Sequence, residues 1–155
     1  MPQIPLHYVD LRTFCYATED DKRVEAALRR LLPAEFEIER VETEGHYGDR
    51  ILVNSARVEN ADDVRHVLAQ LTDLEDFNTL LAELDERVTE NCELFLRLDK
   101  QAAFNGEVAI GEGITFRAKV EAYPAKKPKA VANAEDVLED LAAAADTDPE
   151  TERVE

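Results

Sequence analysis

Apolar and polar residues alternate with a period of two from Tyr8 to Cys15. Val9, Leu11, Thr13 and Cys15 fall on one side, with Tyr8, Asp10, Arg12 and Phe14 on the other. This spacing predicts a strand with one face turned to a core. The period then lengthens: Thr18 is placed to cap a helix with Glu19, Asp20 and Asp21 in its first turn, and Val24, Ala27, Leu28 and Leu31 recur at helical spacing up to Pro33. Phe36 to Val41 and Ile51 to Val58 predict two strands joined by residues 42–50, a connection longer than a tight hairpin needs. Asn60 caps a second helix with Val64, Val67, Leu68 and Leu71 inward. Thr72 and Asp73 interrupt it, and Phe77, Leu81, Leu84 and Val88 continue on a third.

Period two returns twice more. Leu94, Leu96 and Leu98 alternate with Phe95, Arg97 and Asp99, and Ile114, Phe116, Ala118, Val120 and Ala122 alternate with Arg117, Lys119 and Glu121. Between these strands, residues 100–106 read as a short helical turn stopped at Asn105 and Gly106. The order β-α-β-β-α-α-β-β predicts the α+β class: a two-layer sandwich with helices on one face of a mostly antiparallel sheet, not a doubly wound parallel sheet. A single domain is expected over residues 1–133. Residues 134–155 are expected to form a C-terminal helix followed by an acidic, disordered tail.

Charge changes the picture. The chain of 155 residues has 35 acids against 18 bases, a net of -17, on an ordinary hydrophobic content. That combination reads as adaptation to high salt, where dense carboxylates keep a protein hydrated, with an acidic mesophilic protein as the alternative. At molar salt the Debye length is only about 3 Å, so local contacts decide binding. One stretch departs from the trend. From Glu93 to Ala130 five acids (Glu93, Asp99, Glu107, Glu112, Glu121) face seven bases (Arg97, Lys100, Arg117, Lys119, Lys126, Lys127, Lys129), a balance of +2.

Several groups of residues carry candidate chemistry. The polar sides of the strands collect Tyr8, Arg12, Phe14, Phe95, Arg97, Arg117 and Lys119 on one sheet face. Rings and guanidinium planes stack on bases while cations meet phosphates, so this mixture suits RNA. It equally suits a dimer interface. The loop Gly45-His46-Tyr47-Gly48-Asp49-Arg50 reads either as a turn whose polar groups cap neighbouring backbone or as a contact to ribose, base or phosphate. A catalytic reading would make His46 a general base oriented by Asp49, but no nucleophile motif stands beside it. Lys100 and Gln101 open a helical turn where free N–H groups meet anions, unless Asp99 merely caps that turn. The run from Tyr123 to Lys129 is expected to be extended by its prolines, leaving Lys126 and Lys127 available to phosphates or simply solvated as a linker.

Cys15 and Cys92 lie far apart in strand-like segments and read as buried thiols. No Walker loop, dinucleotide fingerprint, zinc spacing or catalytic triad is visible, so no enzyme activity, metal or cofactor is expected. Neither a signal-like start nor a run of eighteen apolar residues is present, and the expectation is a cytoplasmic protein without membrane contact.

Four motifs occur in order: His7-Tyr-Val-Asp-Leu-Arg-Thr-Phe-Cys-Tyr-Ala-Thr-Glu-Asp20, Thr43-Glu-Gly-His-Tyr-Gly48, Arg97-Leu-Asp-Lys-Gln-Ala-Ala-Phe104 and Lys119-Val-Glu-Ala-Tyr-Pro-Ala-Lys-Lys127. Over most of residues 5–130 the chain resembles an archaeal family described as predicted exosome subunits, or RNA-binding proteins with a double-stranded-RNA-binding-domain-like fold. The resemblance implies an archaeal source, narrowed by the acidity to a haloarchaeon. It also implies a fold like that of a ribosomal protein contacting 5S rRNA, frequent dimerisation, and a non-catalytic role with structured or double-stranded RNA alongside exosome subunits. On this reading Arg97, Arg117 and Lys119 are sheet-face contacts, and Gln101 in the short helical turn and Tyr123 after the last strand also bind RNA. Lys100, Lys126 and Lys127 meet phosphates, and His46, Tyr47 and Arg50 form a loop contact. A homodimeric protein-interaction module without RNA contact is the alternative.

Overall fold

A computed structural model describes residues 4–146. Five strands, β1 (Leu6–Cys15), β2 (Glu39–Glu44), β3 (Arg50–Val58), β4 (Glu93–Asp99) and β5 (Gly113–Val120), form one sheet in the order β2-β3-β1-β5-β4. Every neighbouring pair is antiparallel. Among the described residues six α-helices accompany them, α1 (Asp21–Arg29), α2 (Ala61–Gln70), α3 (Phe77–Ala82), α4 (Leu84–Arg87), α5 (Lys100–Phe104) and α6 (Lys127–Asp146), with a 3-10 turn at Leu71–Asp73 after α2. The α+β class and the antiparallel sheet are those the sequence predicts.

Alternation explains why one face is covered. Val9, Leu11, Leu94, Leu96, Leu98, Ile114, Phe116 and Ala118 point to the same side and are buried, packing with Leu28 and Leu31 from the first helical segment, Val67 and Leu68 of α2, and Ala134 and Leu138 of α6. Burying a Leu or Phe side chain contributes roughly 1.5–3 kcal/mol relative to leaving it in water. The opposite side chains of the same strands stay accessible. Both cysteines are buried free thiols, and burial together with nearby Glu19 and Asp21 pushes the Cys15 thiol up.

Local signals place the helices where capping residues stand. Asn60 Oδ1 accepts hydrogen bonds from the amides of Asp62 (2.9 Å) and Asp63 (3.4 Å) at the start of α2. Asp99 Oδ1 accepts from Ala102 N at 2.8 Å and starts α5, which ends at Asn105 with Gly106 at φ +87°. The cap of α1 is Asp20, not Thr18. Glu19 N donates to Tyr16 O (2.9 Å) and Tyr16 N to Glu19 Oε1 (3.0 Å), so a closed turn takes up Ala17 and Thr18 before the helix starts.

Three boundaries differ from expectation. Strand β2 lies at Glu39–Glu44, because pairing to β3 fixes it, while Phe36 and Ile38 ahead of it pack beside the core. The β2–β3 connection is consequently tight: Gly45 N donates to Asp49 O at 2.7 Å, and Gly48 turns the chain at φ +83°. Residues 77–88 form two short helices broken at Glu83. Helix α6 starts at Lys127, ahead of the position expected after Ala134, and Tyr123–Lys129 is not an extended run. Pro128 sits in the first helical turn, where a missing N–H leaves no bond unmade. Ala130, Ala134, Val137 and Leu138 are all buried, which carries the core across residue 134. The expected acidic tail beyond Asp146 lies outside the described residues.

Candidate nucleic-acid interface

Antiparallel register sets outward side chains of neighbouring strands beside each other. One cross row runs Arg57, Asp10, Arg117, Phe95 over β3, β1, β5 and β4. The next runs Glu39, Ser55, Arg12, Thr115, Arg97 over all five strands, and Tyr8, Lys119 and Glu93 form a third on the other side of the first. Basic, acidic and aromatic groups thus alternate across one open face.

Asp10 is the hub of this face. Its Oδ1 accepts from Arg57 Nε (2.8 Å), and its Oδ2 accepts from both Arg57 (2.7 Å) and Arg117 (2.7 Å). Burial opposes the charge on Asp10, but the hydrogen bonds and positive charge of Arg57 and Arg117 outweigh it and hold the carboxyl below its ordinary value. The Arg57 guanidinium, its fork filled by Asp10, lies over the Tyr8 ring at 3.9 Å from its centre, a cation–π contact. Tyr8 Oη donates to Glu93 Oε2 at 3.3 Å. Arg12 lies 5.8 Å from the Phe14 ring and, among the described residues, makes no ion pair. An open trough of about 890 Å³ runs over these rows, with Arg12, Arg57 and Arg117 in its floor, Phe36 and Ile38 at one flank and Phe95 at the other.

The residues singled out from sequence fall into three places. Arg97, Arg117 and Lys119 share the outer face. Arg97 reaches Glu112 at 3.3 Å with both side chains mostly exposed, so solvent screens the pair. Lys119 donates to the Asn91 carbonyl. A second group gathers at the sheet end where β1 and β4 finish and β3 and β5 begin. There Arg50 and Gln101 are exposed, and His46 and Tyr47 occupy the hairpin turn with ring centres 4.8 Å apart, Tyr47 being 87% exposed.

Lys100, in the same region, is engaged internally. Its Nζ donates to the Phe14 carbonyl (3.0 Å) and pairs with Glu19 (2.9 Å), leaving the side chain 19% exposed. Burial of Glu19 is outweighed by its bonds to the Tyr16 backbone and to Lys100, and its carboxyl is held low. Tyr123, Lys126 and Lys127 form the third group, beyond the end of β5 and at the opposite end of the sheet from His46. The Tyr123–Pro124 peptide is cis. Lys126 N donates to Pro124 O at 2.8 Å just before α6.

Sequence reasoning missed the central pair. Arg57 and Asp10 were not assigned roles, although Val53, Ser55 and Arg57 alternate with Leu52, Asn54, Ala56 and Val58, a phase that would have put Arg57 outward. Residues 36–38, expected from their apolar spacing to begin a strand, lie ahead of β2 and line a flank of the trough. His46 lines neither the trough nor a smaller hollow of about 440 Å³ beside Lys100. Among the described residues no group of three or more His, Cys, Asp or Glu is placed to hold a metal ion, and no helix is long and apolar enough to cross a membrane.

A family model described as RNA binding matches residues 8–120. The chain is 38% identical over 148 residues to RNA-binding protein PAB1135 of Pyrococcus abyssi, covering 88% of this chain and 96% of that one. Two solved structures of DUF54 proteins share the fold. Mth689 of Methanothermobacter thermautotrophicus has a TM-score of 0.74 at 38% identity, covering 86% of this chain and 98% of the other. AF2318 of Archaeoglobus fulgidus has a TM-score of 0.76 at 28% identity, covering 85% and 99%. The outward rows of β1, β4 and β5 lie within the matched span, and the chain belongs to this RNA-binding family with archaeal relatives.

Proposed function

We propose that this protein is a non-catalytic RNA-binding protein that engages structured RNA with the outer face of its sheet. The observation that carries the reading is the trough itself, an open sheet face where Arg12, Arg57 and Arg117 stand among Tyr8, Phe14 and Phe95. Guanidinium planes and rings serve as stacking surfaces and the guanidinium edges as donors to RNA. Arg97 and Lys119 extend this surface along β4 and β5. Arg50, His46, Tyr47 and Gln101 at one sheet end, and Tyr123, Lys126 and Lys127 at the other, are secondary contacts to RNA segments that run past the sheet. Lys100 belongs to the first of these groups, after release from Glu19.

The likeness of the four sequence motifs to predicted exosome subunits supports an accessory role beside the archaeal exosome in RNA processing or decay. The same likeness carries the double-stranded-RNA-binding-domain-like relationship. The acid-rich surface fits a haloarchaeal cytoplasm.

Titration of a stem-loop RNA at 0.15 M KCl tests the reading. The double variant Arg12→Glu/Arg117→Glu should bind at least tenfold more weakly than the wild type, with an unchanged circular dichroism spectrum. Equal binding by both proteins would remove the sheet face from the account. A homodimer that buries Arg97 and Arg117 would favour a protein-interaction module instead, and sedimentation reads that outcome directly.

A further inference from the structure

Resting on the sheet-face reading, we infer that the trough takes unpaired ribonucleotides, the bases of loops, bulges or single strands, and not the backbone of a duplex. Charge is the first argument. The trough is lined by three cations, Arg12, Arg57 and Arg117, and by three acids, Asp10, Glu37 and Glu39. The adjoining groups balance as well, Arg97 with Glu112 and Lys119 beside Glu93. An RNA duplex presents phosphates, 2′-hydroxyls and the edges of its bases, while the stacking faces of the bases are closed inside the helix. A surface without net charge gives such a backbone little attraction.

The geometry offers bases more. Arg57 is held by its Asp10 fork and the Tyr8 ring 3.9 Å away. The Tyr8 ring lies against the guanidinium, and about half of the side chain is left accessible to a stacking base. Phe95 stands beside Arg117 in the same row and keeps a partly exposed ring. Two stacking platforms thus bracket the Asp10 hub.

The acids add directionality. Glu37 and Glu39 are exposed at the trough flank, and carboxylates accept hydrogen bonds from exocyclic amino groups of bases. They would only repel phosphates. Size agrees: about 890 Å³ is within the range of sites that enclose small molecules, suited to a few bases and not to a helical segment.

Fluorescence polarisation of the full chain with three RNAs of equal length tests the inference: an unstructured oligonucleotide, a stem-loop and a blunt duplex, each at 0.15 and 1.5 M KCl. The unstructured RNA and the stem-loop should bind at least tenfold more tightly than the duplex. Over the tenfold rise in salt the unstructured RNA should lose about fivefold or less, as for one net phosphate contact on a single strand. The charge-conserving variant Arg57→Lys, which lacks the planar face, should weaken the unstructured RNA about tenfold, and Phe95→Ala should act in the same direction. Equal or tighter duplex binding with a steep salt slope overturns the inference and leaves the RNA-binding reading standing. Failure of all three RNAs to bind overturns both.

Discussion

Asp10 shows how a single carboxylate organises a surface. It is partly buried between two arginines that supply three hydrogen bonds, so removing its charge leaves Arg57 and Arg117 side by side without compensation. Hydrogen bonds to charged groups contribute roughly 1.5–3 kcal/mol each when well buried, and the partial exposure of both arginines brings the expected cost of Asp10→Asn to about 1–2 kcal/mol at neutral pH. The pH dependence has a definite sign. The Asp10 carboxyl is held below its ordinary value of 3.8 in the fold, so its contribution is fully present above that value and is lost as pH falls through the lower, folded value. The gap in unfolding free energy between wild type and Asp10→Asn should be constant from pH 7 to about 4.5 and should close below pH 3.8. Urea titrations along this series check it, and a gap that persists unchanged at pH 2 would contradict the role of Asp10.

Helices and strands differed in how far they could be read ahead of the structure, for a physical reason. Helix α2 and the short α5 carry their start signals in Asn60 and Asp99, which bond to amides two or three residues away, so local sequence is sufficient. Strand β2 has no such signal. Its six residues are all exposed at the sheet edge, with no apolar period, and its position is decided by the partner β3. Helix α6 was obscured differently. Its opening Lys127-Pro128-Lys129 resembles a linker, and only packing of Ala130, Ala134, Val137 and Leu138 on the core shows that the helix includes these residues. If α6 is an integral part of the domain, Leu138→Ala should destabilise it by about 2–5 kcal/mol, the usual cost of emptying a buried leucine site. Thermal and urea unfolding measure this; a change below about 0.5 kcal/mol would mean that the helix is dispensable.

The folded chain joins a strongly acidic surface to one mixed sheet face. Alternation along β4 and β5 made Arg97, Arg117 and Lys119 legible as outward residues, since period two fixes the face of a side chain without knowledge of its neighbours. The pairing of Asp10 with Arg57, 47 residues apart, could not be read that way, because it arises from the register of β1 against β3. Register likewise separated the sequence candidates, sending His46, Tyr47 and Arg50 to one end of the sheet and Lys126 and Lys127 beyond the other. A net charge of -17 therefore says little about where RNA would meet the protein, and the trough that the fold assembles is balanced in charge. Amide chemical shifts of the ¹⁵N-labelled full chain, followed while a stem-loop RNA is added, test the sheet-face claim directly. The account predicts saturable shifts concentrated at Tyr8, Asp10, Arg12, Ser55, Arg57, Phe95, Arg97, Thr115 and Arg117, with α2 and α6 unmoved. Shifts confined to the helical layer, or none on the sheet at saturating RNA, would contradict it.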